Sequence, residues 1–436
     1  MSIRIGGGQG FYGDGLAPVP DLLGAGLDYL VLEGLAELTL AILAKDRARD
    51  ETLGYTRDLP LYLMAALDHL TSGKTKVITN AGGINPIAAG RVAIEMLRSA
   101  GASGLKVATV VGDDVLPKAG ELGVDPGANF ANVYLGARPI VEALASGADI
   151  VITGRVADAS LFVGPLVHEF GWDWEDWDRI GAGVVVGHLL ECSGQVAGGN
   201  YSGAWWENPD PFRIGFPFCD VEPDGTAVIS KAEGTGGMVT FDTVREQLLY
   251  EVQDPSKYMN PDVVADFTVV ELDDLGSNRV RISGTGGAPA PDTYKGLACS
   301  PAGWSCEVKM GYSWPDAEAK ARSALRYIKH RAEVLNIPVL EWWEEYFGVN
   351  AYGGPTAPWP DDPPEVVGRL VWKCADAADA SRLFRQAGVL GLSGPPAFAA
   401  VGRARDGKPT QLLSVRPFFV DRQAVDPGVR VEIEEV

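Results

Sequence analysis

His188, Glu191 and Cys192 stand at i, i+3 and i+4 in "GHLLECSGQVAGGN", residues 187–200. On a helix that spacing puts an imidazole, a carboxylate and a thiol on one face. Such a trio can shuttle protons or supply a nucleophile. It can equally be a buried cysteine beside an internal His–Glu hydrogen bond. Gln195 and Asn200 follow in the same segment and offer amide groups to a substrate. A second set is scattered from Gly8 to Asp158. Its members are Gly8, Gly10, Asp14, Glu33, Asn80, Asn85, Asp113, Asp114, Arg155 and Asp158. Carboxylates can act as acids or bases, arginine can anchor an anion, and glycines let backbone approach a ligand closely.

The elements that must position this second set read as alternating strands and helices. Short apolar, β-branched runs occur at Ile3–Ile5, Tyr29–Leu32, Lys76–Thr79, Leu105–Val111 and Asp149–Thr153. Helical patterns lie between them. The stretch after Asn85 is the clearest, with Asn85 as N-cap, Pro86 at the first helical position and Gly101 as the stop. This alternation predicts a parallel sheet with crossover helices. Every member of the second set lies in the loop that follows one of these strands. The C-terminal ends of parallel strands share one edge, where such folds bind ligands. The set is therefore expected to converge, although glycine, asparagine and aspartate are also ordinary loop and cap residues.

The expected fold is α/β. Residues 1–215 form an open parallel sheet with crossover helices (Rossmann-like) that carries the site. Residues 216–436 form an α+β half with mostly antiparallel strands, read from "TAVISK", "NRVRISG" and "WSCEVKMGYSW". The boundary is placed in the glycine-rich, aromatic stretch 194–218. The tryptophan-rich "HEFGWDWEDWDRI" and "EWWEEYF" read as packing staples, and "EGTGG" at 233–237 as a glycine turn.

The start of the chain offers a competing reading. Gly8-Gln-Gly10-Phe-Tyr-Gly13 spells G-x-G-x-x-G, and Glu33 lies twenty residues after Gly13. That is the pattern of a dinucleotide site in a nicotinamide-dependent oxidoreductase. Such a site needs a helix that begins inside the glycine run. Pro18 and Pro20 argue against one.

Composition narrows the function classes. The 436 residues include 37 Lys and Arg against 58 Asp and Glu, a net charge of −21, and no basic run. That disfavours nucleic acid as a partner. The five cysteines have no C-x-x-C spacing and predict reduced thiols in a cytoplasm. No signal-peptide pattern and no membrane-length apolar run are present. The four histidines are scattered, so no zinc site is expected. Were a divalent ion used, Asp113, Asp114 and their neighbours would suit Mg²⁺.

Several segments together resemble a known family. "IRIGGGQGFYGD", "VITNAGGINP", "ANVYLGARPIVEALASGADIVITGRVADASLF", "GHLLECSGQVAGGN" and "KAEGTGGMVT" are similar to the acyclic terpene utilisation family named for AtuA. The resemblance implies a place in the breakdown of acyclic terpenes through acyl-CoA intermediates, with coenzyme A as part of the substrate. Longer members carry a further C-terminal domain, ferredoxin-like in fold, and this chain ends at Val436. The resemblance therefore implies a separate small partner chain, or no need of one. A homo-oligomer is expected.

The expected chemistry is a lyase of hydratase or dehydratase type, which needs an acid, a base and hydrogen-bond donors but no redox cofactor. Asp14, Asp113, Asp158, His188, Glu191 and Cys192 are the catalytic candidates, with Asp113 or Asp158 as base. Gly8, Gly10, Glu33, Asn80, Asn85, Asp114, Arg155, Gln195 and Asn200 are the substrate-binding candidates, with Arg155 as anion anchor. A nicotinamide enzyme and a non-catalytic subunit for a small partner are the alternatives.

Overall fold

The computed structural model describes residues 1–354, 358, 360–401 and 408–436. They divide into two compact units, Met1–Cys299 with Val415–Val436, and Ser300–Ser414. The chain begins β1 (Ile3–Gln9), α1 (Val19–Gly24), β2 (Tyr29–Leu32), α2 (Glu37–Arg49), α3 (Leu59–Thr71), β3 (Lys76–Thr79), α4 (Pro86–Ser99) and β4 (Lys106–Val111). It continues β5 (Phe130–Val133), α5 (Arg138–Ala145), β6 (Ile150–Thr153), α6 (Ser160–Phe170) and α7 (Trp177–Leu190). Next come β7 (Pro217–Val221), β8 (Ala227–Lys231), α8 (Phe241–Leu249), β9 (Tyr258–Met259), β10 (Val264–Asp266), β11 (Glu271–Gly276), β12 (Arg279–Ser283) and β13 (Gly286–Ala288). The remainder is β14 (Thr293–Ser313), α9 (Ala317–Val334), β15 (Val339–Phe347), β16 (Glu365–Cys374), α10 (Ala377–Ala387), α11 (Leu390–Ser393), β17 (Phe398–Ala400), β18 (Thr410–Asp421), α12 (Arg422–Val425) and β19 (Arg430–Glu435). No helix among the described residues is long and apolar enough to cross a membrane.

In the first unit the five expected runs are parallel strands in the order β1-β2-β3-β6-β4. Alternate side chains enter two cores. Tyr29, Val31 and Ile78 meet Ile140, Phe162 and Val184 from α5, α6 and α7. Leu30, Leu32 and Val77 meet Leu22, Leu63 and Ala93 from α1, α3 and α4. Burial on both faces explains why these strands read as continuous apolar runs. α4 has the expected cap, with Asn85 Oδ1 accepting from the Ala88 amide at 3.4 Å.

Two expectations are corrected here. The sheet is not parallel throughout. β7, β8, β12 and β11 extend it antiparallel from β1, and β19 pairs antiparallel with β4, giving a mixed ten-stranded sheet. The domain break also moves from 215/216 to 299/300. Ile3–Gly6 pair with Phe218–Val221, so the expected boundary falls inside one hydrogen-bonded sheet.

β1 also runs further than expected and takes Gly6, Gly7 and Gly8 into the strand. A methyl group on Gly7 would strike the Leu190 carbonyl at the end of α7, and one on Gly8 would strike Leu30. These glycines serve close packing, not a ligand. Gly7→Ala is expected to lower stability by about 1–3 kcal/mol in thermal denaturation. Gly24→Ala, where the added carbon meets nothing within 4 Å, is expected to change it by less than about 0.5 kcal/mol.

In the second unit, residues 300–313 of β14 join an antiparallel sheet in the order β15-β16-β14-β17. β16 alternates strictly, and its Leu370 and Trp372 pack with Leu325 and Ile328 of α9. "EWWEEYF" is part of β15.

Candidate active site

The loop after β1 is fastened to the protein itself. The Gly10 amide donates to Asp14 Oδ2 at 2.9 Å, and the Gly13 amide donates to Asp58 Oδ2 at 3.0 Å. Asp14 also accepts from the Gly15 amide at 2.6 Å and from Ser193 Oγ at 2.8 Å. Internal carboxylates thus occupy the amides that a pyrophosphate would need. The first helix starts only at Val19 and has six residues. The dinucleotide reading therefore has no phosphate seat. Asp14 braces the loop against the segment that follows α7.

Arg155 is the centre of the strand-end cluster. It follows β6, and only 1% of its surface is exposed. Its backbone amide donates to Asp113 Oδ2 at 2.8 Å. Its guanidinium donates from Nε to the Val156 carbonyl at 2.9 Å, from Nη1 to the Leu35 carbonyl and from Nη2 to Asp158 Oδ1. The Tyr134 ring covers it, with its centroid 4.3 Å from Cζ. An anchor for a substrate anion needs a free donor fork. The fork of Arg155 is instead engaged by protein atoms, so its role is to position Leu35, Val156 and Asp158.

Three carboxyls around this arginine are shifted. Asp113 accepts from Asn132 Nδ2 at 2.8 Å as well as from the Arg155 amide. Burial pushes it up to about 6, against those hydrogen bonds. Its contacts make it the support of the Arg155 loop. Glu33, placed just after β2, accepts on Oε1 from the Leu35 amide at 2.6 Å and from Asn80 Nδ2 at 2.9 Å. Asn80 Oδ1 in turn accepts from the Gly34 amide at 2.8 Å. Burial pushes Glu33 up to about 7, while Arg155 and Asn80 pull it down and the Glu191 charge adds to the rise. Burial also raises Asp158, opposed by Arg155 and reinforced by Glu33 and Glu191. One third of the Asp158 side chain remains exposed, 34% by area.

The end of α7 brings the second group to the same place. A methyl group on Gly10 would lie 2.8 Å from the Cys192 carbonyl carbon. His188 Nε2 lies 2.9 Å from the Gln247 carbonyl, which can only accept, so that nitrogen carries a proton. Nδ1 then faces Glu191 Oε1 at 3.3 Å. The Tyr258 and Phe267 rings flank the imidazole at 5.5 and 5.4 Å. Glu191 Oε2 is buried without a hydrogen-bond partner. Burial first, and then the Glu191 and Glu33 charges, push the Cys192 thiol far up. A thiol held protonated is a poor nucleophile. All five cysteines are free.

Gln195 and Asn200 line a small cavity of about 210 Å³ with Thr243, Glu246, Gln247 and Tyr250. Gln195 Nε2 donates to Gln247 Oε1 at 2.9 Å, which joins this cavity to the residues around His188. A wider recess of about 1110 Å³ lies along β7 and β8, lined by Arg4, Asp220 and Lys231. It holds none of the shifted carboxyls.

Two expected residues stand outside the cluster. Asn85 caps α4 and donates to the Glu51 and Leu53 carbonyls. Asp114 accepts from the Leu116 amide at 3.0 Å. Among the described residues, no group of three or more His, Cys, Asp or Glu side chains is arranged to hold a metal ion. Sequence reasoning missed Asn132, Tyr134, Gln247 and Tyr258.

A family model described as acyclic terpene utilisation family protein AtuA matches residues 3–431. No curated protein and no solved structure matches the chain.

Proposed function

From the premise that the chain belongs to the acyclic terpene utilisation family, we propose an enzyme of acid–base lyase type. It adds water to, or removes water from, a branched acyl compound made during acyclic terpene breakdown. The observation that carries this reading is the pairing of Glu33 with Glu191. One is a buried carboxyl raised toward neutrality in part by the charge of the other, and the other has a buried oxygen without a hydrogen-bond partner. A general acid or base works best with a pKa close to the working pH.

In the dehydration direction a base takes a proton from the carbon beside the acyl carbonyl. An acid protonates the departing hydroxyl. The C–H and C–O bonds break, a C=C bond forms, and one water leaves. Glu33 is the base, with its charge steadied by Leu35 N and Asn80 on Oε1. Glu191 is the acid, supplied with a proton through His188 on its other oxygen. Arg155 holds Leu35, Val156 and Asp158 in place. Asp113, expected as base from sequence, supports Arg155 in this reading. The hydration direction uses the same groups in reverse.

The test is water exchange. Acyl-CoA thioesters of acyclic monoterpenoid acids are incubated with the protein in ¹⁸O-labelled water near neutral pH. Mass spectrometry is expected to show gain or loss of one water, with the label in the hydroxyl. Folded protein that exchanges water into none of them would overturn the proposal.

A further inference from the structure

We infer that the wide recess along β7 and β8 is a second binding site, built around a phosphate group. It involves none of the strand-end residues and does not depend on the acid–base reading. The recess of about 1110 Å³ is lined by Arg4, Lys231 and Arg279 and by Asp21, Asp220 and Glu233. That volume is enough for a whole small molecule. Two of the three carboxylates are already neutralised. Asp220 pairs with Arg4 at 2.7 Å, and Asp21 pairs with Arg213 at 3.2 Å. Glu233 is exposed, where water and salt screen its charge.

Two of the cations have no such partner. Lys231 closes β8 and is only 8% exposed. Its Nζ donates to the Thr235 carbonyl at 2.7 Å and to the Thr235 hydroxyl at 3.4 Å, both uncharged acceptors. Burial pulls its ammonium down from the usual lysine value. A buried charge without a counter-charge is unfavourable, and an anion entering the recess would relieve it. Arg279, at the start of β12, is exposed. Among the described residues neither Lys231 nor Arg279 forms an ion pair.

The turn "EGTGG" supplies further donors directly after β8, and Glu233, Gly234 and Thr235 line the recess. The Thr235, Gly236 and Gly237 amides donate to the Ala232, Arg213 and Pro209 carbonyls. Among the described residues the Glu233 and Gly234 amides have no backbone acceptor. Gly234 has a φ of +75°, and a methyl group on it would meet nothing within 4 Å. Successive free amides at such a turn form a concavity that binds anions. A phosphate group carries up to about two negative charges and three acceptor oxygens. It can therefore meet the ammonium, the guanidinium and the amides together, which a carboxylate with two oxygens and one charge cannot. Val228 and Phe218 line the same recess and offer apolar surface to an organic remainder.

Isothermal titration in phosphate-free buffer at about pH 7.5, where the group is mostly doubly charged, tests the inference. Phenyl phosphate, inorganic phosphate and benzoate are each titrated into the wild-type protein. Phenyl phosphate is expected to bind at least about tenfold more tightly than benzoate. Arg279→Ala is expected to weaken it by about tenfold, the cost of a lost charged hydrogen bond, with an unchanged melting temperature. Lys231→Met is expected to weaken it at least as much, and should that variant fail to fold, Arg279→Ala decides. Phenyl phosphate binding more tightly than inorganic phosphate assigns the site to an ester, and equal binding assigns it to free phosphate; both support the inference. Binding of neither phosphate, benzoate binding as tightly as phenyl phosphate, or an unchanged affinity in Arg279→Ala would overturn it.

Discussion

Arg155→Met is expected to destabilise the first unit by about 3–5 kcal/mol, and Arg155→Lys to recover little of the loss. The guanidinium is 1% exposed and holds two backbone carbonyls and Asp158 at once. Methionine would leave the Leu35 and Val156 carbonyls without donors and Glu33 and Asp158 without a counter-charge. Removing one partner of a buried pair is costly mainly because the other partner stays behind. Lysine keeps a charge but offers a single compact head where a planar fork reaches three acceptors. Denaturant titration should show the midpoint shift. Amide exchange at Val133 and Arg155, whose N–H groups donate to Asp113, should accelerate in parallel. A near-neutral Arg155→Met would mean that these contacts are incidental.

Glu33→Gln is expected to lower turnover by about 10²–10⁴-fold, the range of a lost general acid or base. Its effect on stability has the opposite sign and depends on pH. The Glu33 carboxyl is raised from 4.5 to about 7 by burial, so the folded state binds the proton more tightly than the unfolded state. The stability this gives is fully present below about 4.5 and is lost as pH rises through about 7. Glutamine carries no such titration. The melting temperature of the variant relative to wild type should therefore climb between about pH 5 and about pH 8. Asp113, raised to about 6, adds a slope of the same sign in both proteins and cancels in the difference. A constant difference across that range would place Glu33 in the ordinary carboxylate range.

The sequence made the convergence of the loops legible, because apolar runs ending in Glu33, Asn80, Asp113 and Arg155 can only be strands sharing one edge. It also made the α7 face legible, since His188 and Glu191 keep their helical spacing. The roles were harder to read. Arg155 looked free because its partners are the backbone carbonyls of Leu35 and Val156, which no sequence pattern marks. Glu33 looked like a ligand contact because its shift comes from burial, and burial depends on the packing of several segments. The glycine run looked like a loop because a strand tolerates Gly6–Gly8 only where another element presses on it, and Leu190 lies far along the chain. β5 was missed because Asn132 interrupts a short apolar run, and Tyr134 and Asn132 were missed with it. The antiparallel edge strands looked like a second domain because nothing local in β7 says that its partner is β1.

Glu33 is expected to titrate close to neutrality because it is buried beside the charges of Asp158 and Glu191. Infrared difference spectroscopy from about pH 5 to about pH 9 tests it most directly, through the C=O stretch of protonated carboxyls. The expected result is a buried carboxyl band that disappears near pH 7 in the wild type and is missing in Glu33→Gln. A wild-type protein with no such band, or a band that survives in Glu33→Gln, would contradict the claim.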